Sequence, residues 1–417
     1  MIVNKEYIIA RAKLPKVDLL ADVIQEMLGK EVIRWYLSNV TEDEITVQAT
    51  LYDDKINQNN EDVTKQYFLG KNAVLSIIPT GIGCEIGGYA GDASPSTNLL
   101  ATTVDYLITN PNAVNASDFI GLSNNVVYTE GSFIDLFSQG KVNLYLPYAN
   151  KIGLIIDKSD DWKLDIIFNV VNAVRAVHGV DIVDYVITSE PIASRCCQNK
   201  AGAFVGTVDN PLILLEACEK LINKGANAIA VTSNVQDLPL ENYAKHFTGE
   251  YPNPVGGVEA VISHLIAKTF QIPTAHAPLL NIKQLDLVHN IVDARGSGEM
   301  TSISGLACIL IGLKKAPQLR TQLNNRIADI ININNLLAVV MPASSLGGVP
   351  VLYAQKYGIP VIAVGDNRTI LNVTQEKLQL NNVVQAHSYA EAAGIILSLK
   401  HGIDLGAIFR PLKTLRY

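Results

Sequence analysis

The sequence predicts an α/β protein with mostly parallel or mixed sheets that are covered by helices. Short continuous apolar runs, such as 152–156 and 336–341, suit strands that are buried on both faces. Stretches with the apolar spacing of amphipathic helices alternate with these runs. The composition agrees, because 48% of the 417 residues are hydrophobic and only 18% are charged. Such a chain can bury sizeable cores and is not a disordered one.

The elements can be followed along the chain. Residues 5–52 are predicted to form a strand, a helix and a strand, and the polar segment 53–62 is predicted to form a loop. From residue 73 onward strands and helices alternate, and we interpret the apolar run 306–313 as one of the strands. The segment 235–254 contains three prolines and predicts a long loop or lid, and 292–305 predicts a flexible polar loop.

The length predicts more than one domain, since roughly 150 residues per domain is usual. We divide the chain into an N-terminal unit with a glycine-rich loop (1–150), a middle unit with the long loop 235–254 (151–285) and a C-terminal unit (286–417). In each unit an apolar strand leads through a small-residue loop and a Gly-Gly pair into a helix. The pairs end at Gly88, Gly257 and Gly348. If these units are repeats, their helices should begin on the same edge of the sheets.

Charge and cysteine content exclude several classes of protein. The net charge is −7 with scattered signs, which argues against nucleic acid as a partner. No apolar stretch reaches the roughly 20 residues that span a bilayer, and the N-terminus lacks the pattern of a signal peptide. The five cysteines form no CxxC pair and no disulfide framework. We therefore expect a cytoplasmic protein with no membrane partner, and we leave homo-oligomer formation open.

The first candidate site is the glycine-rich loop 79–92. Its glycines allow sharp turns and close approach of the backbone to a ligand, and the helix that follows favours an anion. The loop contains no dinucleotide or phosphate-loop motif, so no nucleotide cofactor is predicted. Glu85 and Asp92 are candidate catalytic residues. The candidate substrate-binding residues of this loop are Thr80, Gly81, Gly83, Gly87 and Gly88.

The second candidate site contains two histidines. His264 lies on a helix, on a face of small residues that leaves room around its imidazole. His276 follows a strand-like segment in a proline-flanked turn, where α/β proteins present groups to a crevice. Both are candidate catalytic residues, and His276 is the first choice. With Asp293 or Glu299 they could also hold a divalent metal, although their spacing matches no standard zinc motif.

The third candidate site is a serine- and glycine-rich turn that faces a polar turn across its helix. Hydroxyl and N–H groups at a helix start can hold a carboxylate or phosphate, and an arginine can bind it bidentately. The candidate substrate-binding residues are Ser344, Ser345, Gly347, Gly348, Asn367 and Arg368.

Several long segments, among them PTGIGCEIGGYAGDASPSTNLLA, GGVEAVISHLIAKTFQIPTAHAP and MPASSLGGVPVL, resemble a family of cyanobacterial, other bacterial and plant proteins defined only as a domain of unknown function. The resemblance extends from about residue 70 onward and implies no activity or cofactor. A fainter similarity, in the repeated units and ACILIGLKKAPQL, is to the ring-opening amidohydrolases, which have three like domains and Ser and Lys in the site. Ser297 or Ser304 with Lys314 or Lys315 would be the corresponding pair, but three clear Ser–Lys pairs are lacking.

These features predict a small-molecule enzyme that binds an anionic metabolite and uses acid–base chemistry, as a hydrolase, lyase or isomerase. A metabolite-binding regulatory or scaffold protein without turnover is the alternative, and an amidohydrolase-like enzyme is a minor one. A closed pocket with perturbed pKa values would favour the enzyme.

Overall fold

The computed structural model describes residues 2–14, 16–29, 32–52, 70–115, 121–236, 240–250, 252–279, 291–301, 305–320 and 330–415. It confirms the predicted α/β class, with mainly parallel sheets flanked by helices. The loop predicted at 53–62 lies outside the described residues. No helix among those described is long and apolar enough to cross a membrane.

The elements have the following bounds in chain order. The strands are β1 (Ile2–Ala10), β2 (Val32–Val40), β3 (Glu44–Tyr52), β4 (Ala73–Ser76), β5 (Tyr106–Thr109), β6 (Val126–Tyr128), β7 (Asn143–Tyr145), β8 (Lys151–Ile156), β9 (Asp181–Ile187), β10 (Ser194–Gln198), β11 (Phe204–Val208), β12 (Ala228–Ser233), β13 (Val235–Gln236), β14 (Thr274–Pro278), β15 (Gln318–Arg320), β16 (Ile330–Ile331), β17 (Leu336–Pro342), β18 (Val361–Val364) and β19 (Val383–Ala386). The α-helices are α1 (Val17–Leu28), α2 (Ser94–Ala101), α3 (Pro111–Val114), α4 (Gly131–Ser138), α5 (Asp161–His178), α6 (Pro211–Asn223), α7 (Leu240–Phe247), α8 (Gly256–Phe270), α9 (Ser297–Thr301), α10 (Leu306–Leu313), α11 (Val349–Tyr357), α12 (Gln375–Leu378), α13 (Tyr389–Lys400) and α14 (Leu405–Ile408).

The largest sheet has six parallel strands in the order β19-β18-β17-β4-β5-β6. Its central strands are apolar on both faces, because alternate residues belong to two different cores. Val74 and Val340 pack into one core, whereas Leu75 and Val339 pack into the other. The predicted N-terminal and C-terminal units therefore contribute strands to the same sheet.

The middle of the chain forms a second parallel sheet of four strands in the order β14-β12-β8-β9. Leu154 and Ala230 pack into the core that also receives Val74 and Val340 of the six-stranded sheet. The opposite face, with Ile155 and α8, forms a third core. One core thus contacts both parallel sheets.

An antiparallel sheet in the order β1-β3-β2 precedes the parallel part. The sequence predicted the strand at 44–52 and the helix at 17–28, but not β2 (Val32–Val40). Lys268 of α8 donates a hydrogen bond to the carbonyl of Val32, at 2.8 Å, and Gly347 accepts one from the backbone N–H of Leu37. These contacts connect β2 with α8 and with the loop after β17. Two further three-stranded sheets, β11-β10-β13 and β15-β7-β16, complete the described strands.

Two predictions about loops were wrong. The segment 235–254 contains helix α7, which buries Tyr243, His246 and Phe247, residues whose spacing puts them on one helical face. The segment 292–305 contains a short 3-10 helix (Ala294–Gly296) and α9 rather than only a loop.

The apolar run 306–313 is helix α10 and not a strand. The prediction failed because a helix that is buried on nearly all sides has no polar face and cannot be distinguished from a buried strand by periodicity.

The Gly-Gly loops of the first two predicted units touch each other. The loop after β4 touches the start of α8, where a Cβ on Gly256 would lie 2.0 Å from Oγ1 of Thr80 and a Cβ on Gly81 would lie 3.5 Å from the backbone nitrogen of Gly257. The third loop follows β17, the strand adjacent to β4. Glycine at these positions permits the close approach of the two backbones.

Candidate active site

A cleft of three adjacent chambers, lined partly by α8, lies at the carboxyl ends of the six-stranded sheet. Loops after β4, β5, β6 and β17 border it, which is the usual position of sites in open α/β sheets. We name the chambers after one lining residue each: the Arg34 chamber, the His264 chamber and the Glu299 chamber, with volumes of about 160, 90 and 70 Å³.

The chambers share walls. The first two have in common Thr80, Asn110, Gly131, Ala260 and His264, and the last two have in common Asn112, Asn115, Glu259 and His276. A single water molecule needs roughly 10–15 Å³ of such a cavity. The three chambers therefore have room for a small metabolite but not for a polymer.

The His264 chamber contains a tight imidazole–carboxylate pair. Nδ1 of His264, on α8, lies 2.5 Å from Oε1 of Glu130. The side chain of Glu130 is 2% exposed and that of His264 is 13% exposed. A Cβ on Gly131 would lie 2.6 Å from the imidazole, so only glycine leaves room for this ring.

Glu130 is held in place as the N-cap of α4. Its Oε2 accepts hydrogen bonds from the backbone N–H groups of Ser132 (2.8 Å) and Phe133 (3.3 Å). Burial alone would raise the pKa of this carboxyl, but the charge and hydrogen bond of His264 and the cap hydrogen bonds outweigh burial and lower the pKa below its ordinary value. Glu130 is thus an ionised group that orients His264.

His276 forms a second imidazole–carboxylate arrangement. The sequence analysis predicted His276 in a turn after the strand, but it lies within β14. The strand continues to Pro278 and pairs His276 with Val231. Nε2 of the buried ring shares a hydrogen bond of 2.8 Å with Oγ of Ser233, and Nδ1 lies 3.4 Å from Oε1 of Glu259.

Glu259 is the chemically distinct member of this second arrangement. It lines both the His264 and the Glu299 chambers, and 23% of its side-chain surface remains exposed. Burial raises the pKa of Glu259 above its ordinary value, Glu299 adds to this rise, and His276 only partly offsets it. Two carboxyls of one cleft, Glu130 and Glu259, therefore have pKa values shifted in opposite directions, a pattern found where acid and base roles are divided.

The third chamber contains Glu299. Its Oε2 accepts a hydrogen bond from the backbone N–H of Ala90 at 3.0 Å and lies 3.5 Å from Nε2 of the buried His246. Its Oε1 accepts a hydrogen bond from Asn253 at 3.3 Å. Burial opposes ionisation here, but the hydrogen bond and charge of His246, with the hydrogen bonds from Ala90 and Asn253, outweigh it and lower the pKa of Glu299. His246 lies on the unpredicted helix α7, where its ring stacks on Tyr89 with centroids 4.3 Å apart.

The Arg34 chamber is mostly apolar. Its charged or titratable lining residues are Arg34 and Tyr36 of β2, Asp135 of α4 and His264. Burial raises the pKa of Asp135 to about 6.

The residues predicted in the first loop divide between the cleft and the structural support of the loop. Thr80 lines two chambers. Gly81, Gly83 and Gly87 have positive φ. A Cβ on Gly88 would lie 2.0 Å from the carbonyl oxygen of Cys84, in the same loop. These glycines shape the loop.

The two acidic residues of this loop lie outside the lining of the three chambers. Glu85 is exposed and pairs with Arg295 at 2.6 Å. Asp92 accepts a hydrogen bond from the backbone N–H of Tyr89 at 3.2 Å, and burial raises its pKa to about 6.

The residues of the third candidate site are also separated by the fold. Ser345, Gly347 and Gly348 line the Arg34 chamber. Ser344 shares a hydrogen bond of 2.9 Å with the hydroxyl of Thr369.

The polar turn across from them lies elsewhere. Asn367 is fully buried, and its amide binds the backbone of Ile86 and the hydroxyl of Tyr389. Arg368 is exposed and does not line any of the three chambers.

The metal and Ser–Lys hypotheses gain no support from the geometry. Within the described ranges, no group of three or more His, Cys, Asp or Glu side chains could hold a metal ion. Lys314 donates to the carbonyl of His178 at 2.6 Å, and Ser297 donates to the carbonyl of Asp293. Ser304 lies outside the described residues.

The sequence analysis missed residues that line the cleft, Arg34, Glu259 and Ser263, and two that contact its histidines, Glu130 and Ser233. Glu259 and Ser263 are four residues apart within the segment that identified His264, so the helical period places them on one face and could have indicated them. Glu130 and Arg34 carry no such signal, because each reaches the cleft from an element that is distant in sequence.

The fold and the cleft together define an α/β protein whose internal site is lined by imidazole–carboxylate pairs. Residues 72–409 match the family described as "Protein of unknown function (DUF3326)", and the chain belongs to this family. A relative in Synechococcus sp., named an uncharacterized lipoprotein, is 36% identical over 346 residues, which cover 82% of this chain and 94% of the relative. No solved structure matches the chain. The resemblance predicted from residue 70 onward is confirmed.

Proposed function

We propose that the protein is a small-molecule enzyme that transfers protons to and from an anionic metabolite in this cleft. The observation that carries the proposal is the chamber-facing Glu259, whose raised pKa contrasts with the lowered pKa of the nearby Glu130. A carboxyl group with a raised pKa holds its proton to a higher pH than an ordinary carboxyl, which suits a general acid or base.

The roles follow from the contacts. Glu259 is the general acid or base, since its carboxyl borders two chambers. His276 is its proton partner, and the hydrogen bond to Ser233 fixes the ring. The pair His264–Glu130 supplies a second imidazole in a chamber that Glu259 also lines, where it can bind or protonate the substrate.

The order Ser233–His276–Glu259 is also that of a hydrolytic triad. Ser233 is completely buried, however, and does not line any of the three chambers. A substrate carbonyl in the cleft would not reach its hydroxyl. The geometry therefore favours proton transfer, as in lyases, isomerases and hydrolases that activate water, over a serine nucleophile.

The experiment uses solvent deuterium. Thermal-shift screening of carboxylated, phosphorylated and neutral metabolites identifies ligands, which are then incubated with the protein in D₂O and analysed by mass spectrometry. We expect incorporation of deuterium or conversion of at least one ligand, and a loss of roughly 10²–10⁴-fold in rate in Glu259→Gln and His276→Asn. Glu241→Gln, on the exposed face of α7, is the matched control.

The outcomes separate the two classes of function. A ligand that stabilises the protein but is neither exchanged nor converted would favour the regulatory or scaffold alternative. Conversion that continues unchanged in Glu259→Gln would contradict the assigned role. Conversion lost on mutation of Ser297 or Lys314 would instead favour the amidohydrolase-like alternative.

We also propose a cytoplasmic location. The five cysteines form no disulfide with one another within the described ranges, as suits a reducing compartment. Because the Synechococcus relative is named a lipoprotein, fractionation of cells should include a detergent-phase step that would detect a lipid-anchored form. Recovery in that phase would refute the proposed location.

A further inference from the structure

We propose that the ligand is a small organic acid with an apolar body, whose anionic group is bound by Arg34 and whose body fills the Arg34 chamber. This inference rests on the proposed function, because it names the substrate class of the same cleft. It assigns the anion-binding role to the N-terminal sheet, and not to Arg368.

The first support is the state of the Arg34 guanidinium. Arg34 lines the chamber, and its buried Nη1 has no hydrogen-bond partner among the described residues. Its guanidinium lies over the ring of Tyr36, 5.4 Å from the centroid. Buried N–H groups without acceptors are costly and uncommon in proteins. A carboxylate would satisfy them, and the fork geometry of arginine matches its two oxygens.

Asp135 is the acidic residue that could compete for Arg34, since it lines the same chamber. Within the described part of the chain the two side chains form no ion pair or hydrogen bond with each other. Burial raises the pKa of Asp135 to about 6, although the charge of Arg34 acts to lower it. Because Nη1 of Arg34 has no hydrogen-bond acceptor among the described residues, it is available to an anion from outside.

The second support is the character of the walls. Apart from the charged groups already named, the chamber is lined mainly by hydrophobic side chains. They are Trp35, Leu37, Ile77, Pro79, Ile82 and Met341, with further aliphatic residues of α4 and α11. Inorganic phosphate or a sugar would leave this surface uncovered. A hydrocarbon or aromatic body would bury it, and each buried CH₂ contributes roughly 0.8 kcal/mol.

The third support is proximity to the reacting groups. The Arg34 chamber adjoins the His264 chamber, because Thr80, Gly131 and His264 line both. A ligand anchored at Arg34 would lie next to His264, whose second chamber Glu259 also lines. Binding and proton transfer are thus assigned to different ends of one cleft.

The test is titration calorimetry with four probes: hexanoate, phenylacetate, hexanamide and phenylacetamide. We expect the wild-type protein to bind at least one acid more tightly than its amide. Arg34→Met should weaken that acid about 10- to 100-fold and leave the amide nearly unchanged, because it removes charged hydrogen bonds and keeps the apolar length. Arg195→Met, at an exposed ion pair on β10, is the matched control.

Arg34→Lys keeps the charge but loses the fork, and it covers the case in which Arg34→Met does not fold. We expect it to bind the acid with intermediate affinity. The proposal is overturned if neither acid binds the wild type, if the amides bind as tightly as the acids, or if both Arg34 variants bind the acid like the wild type.

Failure of this inference is distinguishable from failure of the proposed function. Glu259→Gln should still bind the acid, since Glu259 is assigned to proton transfer. Acid binding that depends on Arg34, without any exchange or conversion, would refute the enzyme and retain the binding site. Exchange that is independent of Arg34 would refute the Arg34 binding site and retain the enzyme.

Discussion

Glu130 offers the most stringent test of the structure, because one side chain has two separate roles. It forms a buried imidazole–carboxylate pair with His264 and caps helix α4 through the N–H groups of Ser132 and Phe133. Removing one partner of a buried pair costs about 3–5 kcal/mol, and losing an N-cap costs about 1 kcal/mol. Since His264 retains 13% exposure, which lets water partly solvate it, we take the lower part of the first range.

Glu130→Ala should therefore lower the free energy of unfolding by about 4 kcal/mol at pH 7. Glu130→Gln keeps the size and a capping oxygen but loses the charge, so its effect should be about half as large. Urea unfolding followed by tryptophan fluorescence measures both. Glu241→Ala removes an exposed carboxylate and should leave the unfolding midpoint unchanged.

The pH dependence of the free energy of unfolding tests whether the ionised Glu130 carboxylate stabilises the folded protein. The pKa of Glu130 in the folded protein lies below its ordinary value of 4.5. The ionised carboxylate therefore contributes its full stabilisation above pH 4.5, and this contribution is lost as the pH falls through the lowered pKa. The stability difference between wild type and Glu130→Gln should shrink in that window. A midpoint of Glu130→Ala equal to the wild type at pH 7, or a difference that grows in acid, would refute the reasoning.

Two further predictions concern the first glycine-rich loop. Gly81→Ala should destabilise the folded protein by about 1–3 kcal/mol, because φ is +75° and the new Cβ would lie 2.7 Å from a carbonyl oxygen. Gly179→Ala, where φ is +60° and the new Cβ meets open space, should destabilise it less. Urea titration measures both variants, and equal unfolding midpoints would contradict this account. Burial raises the pKa of Asp92 from 3.8 to about 6, so the folded wild type binds more protons than the unfolded chain between these pH values and loses stability as the pH rises through them. Asp92→Asn lacks this carboxyl and should therefore gain stability relative to the wild type as the pH is raised from about 4 to about 8. Melting temperatures of the wild type and Asp92→Asn, measured across this pH range, test the prediction. A constant difference between them would contradict it.

The sequence predicted the parallel part of the fold because its strands have a local signature. Strands β4 and β17 are short and continuously apolar, which indicates burial on both faces, and the two cores on either side of their sheet explain that pattern. The pairing of β4 with β17 has no local signature. Nothing in either strand indicates that the first and third predicted units would share a sheet.

The candidate site, like the fold, could be predicted only in part from the sequence. His264 and His276 were found because small residues and prolines surround them in the sequence, and both line the cleft. Their carboxylate partners were missed for different reasons. Glu259 was overlooked within a recognised segment, whereas Glu130 reaches His264 from a helix cap that the usual N-cap residues would not have indicated.

The six-stranded sheet has a consequence for how the chain folds during synthesis. Strand β4 cannot pair with its central neighbour until the ribosome has released β17, which begins at Leu336. The four-stranded sheet, formed from residues between Lys151 and Pro278, is complete earlier. An unpaired edge of β4 is therefore exposed while the middle of the chain folds, and long-range parallel pairing is slow. Premature termination after Pro278 would leave the loops of the first half without the strand that closes their sheet.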